Sequence, residues 1–334
     1  MTAGHTARHR AVLAAPAVEL AAAARPMPGP IALLPEPRAV FREAVEAAGG
    51  VVEPLSERTR GIVWLANTHS ELLIEVLRDN PRIEWVQLPW AGVDAFAEAI
   101  ASQARPGLLW TSAKGAYAQP VAEHALALTL ALLRLLPRRL RARAWESGDD
   151  GQSLFGLHVV IVGAGGIALE LIRTLAVFDA EVTIVRRSAI PVPDAARTAT
   201  SDRLDAVLPD ADVVIVAAAL TDATASLLGA EQFALMKRTA YVVNVARGGL
   251  VDTNALVSAL ATGEIAGAAV DVTDPEPLPE GHPLWSAPNC IITPHAADTP
   301  AMTAPLLAER IRANVEAFLD HGRFVGVVDP VAGY

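Results

Sequence analysis

The tightest constraint on the fold is an apolar strand that runs straight into a glycine-rich turn. Val159-Val160-Ile161-Val162 is followed by Gly163-Ala164-Gly165-Gly166-Ile167-Ala168. In such a turn the first glycine permits the tight bend and the second lets the backbone approach a pyrophosphate. Ala168 is small enough for the next helix to pack close to the strand. That helix, expected from Ile167 to Val177, aims its first amides at the phosphates. The pattern G-x-G-x-x-A is the fingerprint of dinucleotide binding, with Gly163, Gly165, Gly166 and Ile167 as its contacts. Flavin proteins and methyltransferases use similar turns, so the turn alone does not select the chemistry.

Strand and helix alternate on both sides of this turn. Upstream, the sequence predicts a strand at Ile31 to Leu34 and a helix from about Arg38 to Ala48 that ends at Gly49-Gly50. A strand at Gly61 to Leu65 follows, then a helix near Ser70 to Asp79 stopped by Asn80-Pro81. A further strand at Trp85 to Leu88 leads into Pro89-Trp90-Ala91-Gly92. From Gly156 to Pro294, strands are expected near Val159, Val182, Val213, Ala240, Gly267 and Ile291. This spacing implies parallel sheets and an α/β chain of doubly wound units. The small residues Ser112 to Ala116 read as a hinge. The long apolar helix expected from Val121 to about Trp145 suits a core or a dimer interface.

Composition excludes several classes of function. With 52% hydrophobic and 19% charged residues over 334 positions, the chain reads as an ordinary globular protein large enough for two cores. Its net charge of −10 disfavours nucleic acid and anionic membrane as partners. The longest apolar run, Ala125 to Leu136, contains Thr129 and Arg134 and is shorter than the roughly 20 residues that span a bilayer. Pro16, Glu19 and Arg25 interrupt any signal-peptide core in the first 28 residues. That segment is expected to be a poorly ordered extension. Cys290 is the single cysteine and follows a reducing, cytoplasmic pattern, reading as a buried structural thiol.

Three later stretches carry chemistry: Asn244-Val245-Ala246-Arg247-Gly248-Gly249, Asp274-Pro275-Glu276-Pro277-Leu278 and Thr293-Pro294-His295. An arginine can grip a carboxylate with two parallel hydrogen bonds, and a histidine exchanges protons near neutral pH. A carboxylate can orient and charge that histidine. Together with the turn, the trio reads as hydride-transfer chemistry. The combination resembles the D-isomer-specific 2-hydroxyacid dehydrogenases from about Pro30 to Tyr334. The most specific stretches are VNVARGGLVD at 243–252, AVDVTDPEPL at 269–278 and HPLWSAPNCIITPH at 282–295. LPWAGVD at 88–94, VAEH at 121–124 and VVDPVAGY at 327–334 support them.

The resemblance implies two Rossmann-like doubly wound parallel-sheet domains. The substrate domain is discontinuous, formed by 29–113 and 297–334, and the dinucleotide-binding domain covers 114–296. A helix from Ala301 to Leu319 crosses back to the first. By resemblance, His295 is the general acid/base, and Glu276 pairs with it and favours its imidazolium form. Formate dehydrogenases of the same superfamily carry a glutamine in that role, so the glutamate favours a hydroxy acid. Arg247 holds the substrate carboxylate and polarises the 2-oxo group. The amides around Ala91 and Gly92 complete that site, so reaction requires closure. Asp271 accepts from the nicotinamide carboxamide, with Val245, Ala246 and Ala297 also against the cofactor. Ala296, Ala297 and Asp298 depart from the glycine, serine or tryptophan frequent in the family near this point.

The strand Glu181 to Val185 ends in Arg186-Arg187, where an NAD-specific enzyme places an acid about 20 residues after the glycine turn. Two arginines can bracket a 2′-phosphate, so NADP is favoured over NAD. The implied activity is a glyoxylate/hydroxypyruvate-type 2-oxoacid reductase, a homodimer acting on small 2-oxo or 2-hydroxy acids without a metal. Two alternatives stay open: a dinucleotide-sensing corepressor of the same fold, and a phosphoglycerate dehydrogenase.

Overall fold

The computed structural model describes residues 17–66, 69–145, 148 and 150–329. Residues 1–16 of the expected extension and 330–334 of the VVDPVAGY stretch lie outside the described residues. The chain divides into two compact units, Met1–Gln119 with Thr299–Tyr334 and Pro120–Asp298.

In the first unit a short strand, β1 (Val18–Glu19), precedes a parallel sheet of β2 (Ile31–Leu34), β3 (Gly61–Trp64), β4 (Trp85–Gln87) and β5 (Leu109–Thr111), in that spatial order. Ile31, Ile62, Val63, Trp64, Trp85 and Val86 are all buried, which is why these strands read as continuous apolar runs rather than alternating ones. The helices Ala39–Ala47 and Ser70–Asp79 connect them. The first stops at Gly49, whose φ of 82° is open to glycine without a Cβ penalty. β5 was not expected from the sequence, because Thr111 breaks its short apolar pattern. Its hydroxyl receives the Trp85 indole N–H at 2.9 Å and donates to Gln87 Oε1 at 2.9 Å.

The second unit carries β6 (His158–Val162), β7 (Glu181–Arg186), β8 (Arg197–Thr200), β9 (Val213–Val216), β10 (Tyr241–Asn244), β11 (Gly267–Val270) and β12 (Cys290–Ile292). They form one parallel sheet in the order β12-β11-β10-β9-β6-β7-β8. The order reverses between β6 and β9, and in open sheets of this kind ligands bind at the carboxyl ends of the strands beside that reversal. The glycine turn leaves β6 there. β8 was also unexpected. It is an edge strand with the sequence Arg-Thr-Ala-Thr, of which only Ala199 is buried, so it carries polar residues as edges do.

One expected element is replaced by two. The helix predicted from Val121 to Trp145 is the helix Ala118–Leu133 followed by a short helix Leu136–Arg141, with Leu135 between them at a φ of 53°. Pro137 has no amide to continue the first helix, and its ring would meet the carbonyl of Leu133. It sits instead in the first turn of the second helix, where the missing amide costs nothing. The apolar character of Ala118–Leu133 belongs to the core, with Ala122, Ala125, Leu128, Leu132 and Leu133 buried.

The chain re-enters the first unit through the helix Pro300–Glu316 and β13 (Arg323–Phe324). Asn314 fastens this helix: its amide donates to Gln87 Oε1 at 2.7 Å and to the Val325 carbonyl at 2.9 Å, while its oxygen accepts from the Val325 amide at 2.8 Å. A buried network satisfied at each member specifies one packing. β13 pairs antiparallel with β1, and Arg25 Nε donates to the Leu20 carbonyl at 3.0 Å. The described part of the extension thus pairs with the segment after the helix Pro300–Glu316. Its backbone partner lies at the other end of the chain, where no local pattern announces it.

Candidate active site

The glycine turn is built by two different needs. Gly163 has a φ of 121°, and a Cβ there would sit 2.4 Å from the carbonyl oxygen of Ala217, just past β9. Conformation and close approach both require glycine. Gly165 is extended, and a Cβ added to it would meet no protein atom within 4 Å. The protein's own packing does not demand glycine there. The space in front of the helix Gly166–Leu175 is one a side chain would fill, and it fits an approaching pyrophosphate. Gly166 and Ala168 are buried in the first turn of that helix and Ile167 is half-buried. At the end of β7, Arg186 is half-buried and Arg187 exposed. Val245, Ala246 and Ala297 are buried beside the ends of β10 and β12.

Arg247 leaves the end of β10 on a loop fixed by Asn244. The Asn244 side chain, fully buried, accepts the Ala246 amide at 3.1 Å and donates to the Arg247 carbonyl at 2.9 Å. The guanidinium of Arg247 is half-buried, with Nη1 donating to the Ala246 carbonyl at 2.7 Å. Gly248 then brings two loops into backbone contact, since a Cβ there would lie 2.0 Å from the Thr273 carbonyl carbon and oxygen. Thr253 Oγ1 adds a hydrogen bond of 2.8 Å to the Asp274 carbonyl. The loop carrying Arg247 is thereby locked to the loop carrying Glu276.

Glu276 and His295 meet directly: Nδ1 of His295 lies 2.6 Å from Glu276 Oε1, with both side chains about half exposed. With Nδ1–H donating to the carboxylate, Nε2 is the atom left to exchange a proton with a ligand. His295 itself has a φ of 50°, a left-handed conformation that residues with a Cβ adopt sparingly. Its amide donates to the carbonyls of Asp271 at 2.7 Å and Thr293 at 3.0 Å, and these partners hold it there.

Asp271 organises this loop. Only 2% of the residue is exposed. Oδ1 accepts the Thr293 hydroxyl at 2.5 Å and the Ala296 amide at 2.8 Å, and Oδ2 accepts the Ala297 amide at 3.1 Å. Nε2 of His124 lies 3.4 Å from Oδ1. Burial pushes the carboxyl up, but the hydrogen bonds from His124, Thr293, Ala296 and Ala297 outweigh it and hold it below the usual carboxylate value. The clamp is therefore charged at neutral pH and is lost only as pH falls through that lowered value. Asp298, next along the loop, behaves oppositely: burial raises its carboxyl, the nearby His295 pulls it down and Asp271 adds to the rise.

In the first unit Ala91 is exposed and Gly92 half-buried, in the loop after β4. That loop is tied to the segment read as a hinge, because the Tyr117 hydroxyl donates to the Pro89 carbonyl at 2.6 Å and the Ala113 amide to that of Trp90 at 2.9 Å. Arg310, buried, donates to the carbonyls of Ser112 at 2.8 Å and Lys114 at 2.9 Å, and burial lowers its guanidinium to about 10. Cys290 is buried, which pushes its thiol up to about 12 and leaves it protonated and unreactive at neutral pH. The sequence alone gives Asn244, Thr293 and His124 no role, although each stands in one of its most specific or supporting stretches. The signal for the first two is a polar residue closing an apolar strand.

Residues 125–297 match the family model described as D-isomer specific 2-hydroxyacid dehydrogenase, NAD binding domain. A Corynebacterium melassecola protein described as an uncharacterized protein in the proB 3′ region is 40% identical over 259 residues, 75% of this chain and 84% of that one. A glyoxylate reductase of Thermofilum pendens is 33% identical over 258 residues, 73% of this chain and 74% of its own. Among solved structures, a D-isomer specific 2-hydroxyacid dehydrogenase from Xanthobacter autotrophicus Py2, in complex with NADPH and MES, is 28% identical with a TM-score of 0.78. The match covers 92% of this chain and all of that one.

The contact at Gly248 yields a stability test. Gly248→Ala forces a methyl into the Thr273 carbonyl, an overpacking of backbone that relaxes poorly, and is expected to destabilise by about 3 kcal/mol or more. Gly249→Ala meets side chains rather than backbone, Leu220 at 3.2 Å and Asp274 at 3.8 Å, and should cost less than about 1 kcal/mol. Urea unfolding of the two variants measures the difference.

Proposed function

Because the chain belongs to the D-isomer-specific 2-hydroxyacid dehydrogenase family, we propose that it reduces a small 2-oxo acid of the glyoxylate or hydroxypyruvate type to the corresponding 2-hydroxy acid. It is an NAD(P)-dependent D-2-hydroxyacid dehydrogenase. The observation that carries the reading is the 2.6 Å contact between His295 Nδ1 and Glu276 Oε1. A reduced nicotinamide held beside Asp271 would supply the hydride for C2 of the oxo acid. Imidazolium at His295 gives its Nε2 proton to the 2-oxo oxygen, and Glu276 balances the positive charge while that proton is held. In the reverse direction neutral His295 takes the hydroxyl proton through Nε2. Arg247 grips the substrate carboxylate with its guanidinium, and the Asn244 clamp sets where that guanidinium starts. The amides of Ala91 and Gly92 are proposed to bind the substrate carboxylate. Oδ2 of Asp271, which takes one protein amide, is proposed to receive the nicotinamide carboxamide as well.

The cofactor reading is NADPH. Gly163, Gly165, Gly166 and Ile167 would hold the pyrophosphate, with Val245, Ala246 and Ala297 along the nucleotide. Arg186 and Arg187, at the end of β7, would pair with the 2′-phosphate. The Xanthobacter autotrophicus relative binds NADPH, which supports the same reading. No described helix is long and apolar enough to cross a membrane, and the buried thiol of Cys290 suits our placing of the protein in the cytoplasm.

Steady-state rates over a panel of 2-oxo acids with each cofactor test the proposal. Glyoxylate and hydroxypyruvate should be reduced fastest, with NADPH preferred. Charge-assisted bonds to the phosphate are worth about 1.5–3 kcal/mol, so Arg186→Ala should weaken NADPH use roughly 10- to 150-fold and spare NADH. Equal loss with both cofactors would rule the phosphate role out. We also propose a homodimer with a two-fold interface. Its apolar contact would come from the segment after the helix break, where Leu140 is 82% and Trp145 96% exposed. Light scattering should give twice the chain mass for the native protein and a shift toward monomer for Leu140→Asp; a native monomer at micromolar concentration would refute it.

A further inference from the structure

We infer that His124 is a positioning residue for His295, acting through Thr293 and Asp271; the inference rests on the proposed proton-transfer role of His295. His124 lies on the helix Ala118–Leu133, and its Nε2 is 3.0 Å from Thr293 Oγ1 and 3.4 Å from Asp271 Oδ1. The Thr293 hydroxyl has one proton. A hydroxyl 2.5 Å from a charged carboxylate gives its proton to that carboxylate, so Thr293 Oγ1 receives the Nε2–H of His124. The directions in this chain of hydrogen bonds are therefore fixed: His124 Nε2–H goes to Thr293 at 3.0 Å and, at the longer 3.4 Å, toward Asp271, while Thr293 O–H goes to Asp271.

What this chain holds is the backbone of His295. Asp271 takes the amides of Ala296 and Ala297 on its carboxylate and the amide of His295 on its carbonyl. Thr293 takes the His295 amide on its own carbonyl at 3.0 Å. These bonds fix a residue whose φ of 50° would otherwise be sparsely populated. His124 adds an anchor from outside the loop, because its helix is packed into the core through Ala122, Ala125 and Leu128. A loop held only by its own members can shift as a body, whereas a loop bonded to a buried helix keeps its register. The imidazole of His295 is thus referred to a fixed element, as precise proton transfer requires.

The test uses the full-length enzyme with NADPH and glyoxylate. His124→Leu and His124→Asn, the second polar but too short to reach Thr293, should each lower kcat about tenfold, the effect of one lost buried hydrogen bond, with KM changed less than about twofold. His124→Gln can place an amide N–H near the position of Nε2 and should recover most of kcat. Thr293→Val should lose about as much as His124→Leu, and the double variant should be no worse than either single, because all of them break one chain. NADPH binding followed by fluorescence should be retained throughout. Wild-type kcat in His124→Leu and His124→Asn, failure of glutamine to rescue, or additive losses in the double variant would each overturn the inference. His295→Gln separates the two readings. If it retains turnover, the proton-transfer assignment fails; if it is inactive while His124→Leu is unimpaired, only the role of His124 fails.

Discussion

A negative charge with 2% of its residue exposed is what the site's arrangement depends on. Burying the carboxylate of Asp271 is tolerable only because its oxygens are taken up by hydrogen bonds, and all of those donors lie in its own unit. The charge and the loop thus stabilise each other. Without the carboxylate, the amides of Ala296 and Ala297 lose their acceptors; without the loop, the carboxylate is an uncompensated buried ion. His295 inherits its left-handed backbone from this arrangement, and Glu276 receives the imidazole at 2.6 Å.

The parallel sheet explains why residues so far apart in sequence converge. β6, β7, β10, β11 and β12 all run the same way, so each ends at one edge, and the glycine turn, Arg186, Arg247, Asp271 and His295 follow those ends. Gly248 then removes the last gap, letting the loop after β10 touch the loop after β11 at Thr273. The helix Gly166–Leu175 points its free amides at the same edge. Fixed dipoles and hydrogen-bond donors on rigid elements favour charge transfer without reorganisation at the moment of reaction.

Much of this fold is legible in the sequence because most of its strands are buried on both faces. β2, β3, β6, β9 and β10 are short apolar runs, as strands buried on both faces are. β8 is invisible for the opposite reason, since an edge strand of Arg, Thr, Ala and Thr has no pattern to detect. β1 is held by β13, a partner at the far end of the chain. The break at Leu135 could have been read from Pro137, but the apolar run that leads up to it masks it. In the site, Arg247, Glu276 and His295 stand out as residue types and as motifs. Asn244, Thr293 and His124 do not, because a side chain bonded to a neighbouring loop leaves no periodicity. Asn244 and Thr293 show only as polar residues closing apolar strands, and what each of the three bonds to is visible only as distances.

The central claim is that Glu276 and His295 act as one charged pair in proton transfer. The pH dependence of glyoxylate reduction with NADPH, in wild type and in Glu276→Gln, tests it most directly. Glutamine keeps a hydrogen-bond acceptor for Nδ1 but removes the charge that favours imidazolium. Only imidazolium can donate, so the deficit of Glu276→Gln should be smallest in acid and widen as pH rises. The account predicts a descending limb displaced to lower pH in the variant. A limb that stays where wild type has it would contradict the charged pair.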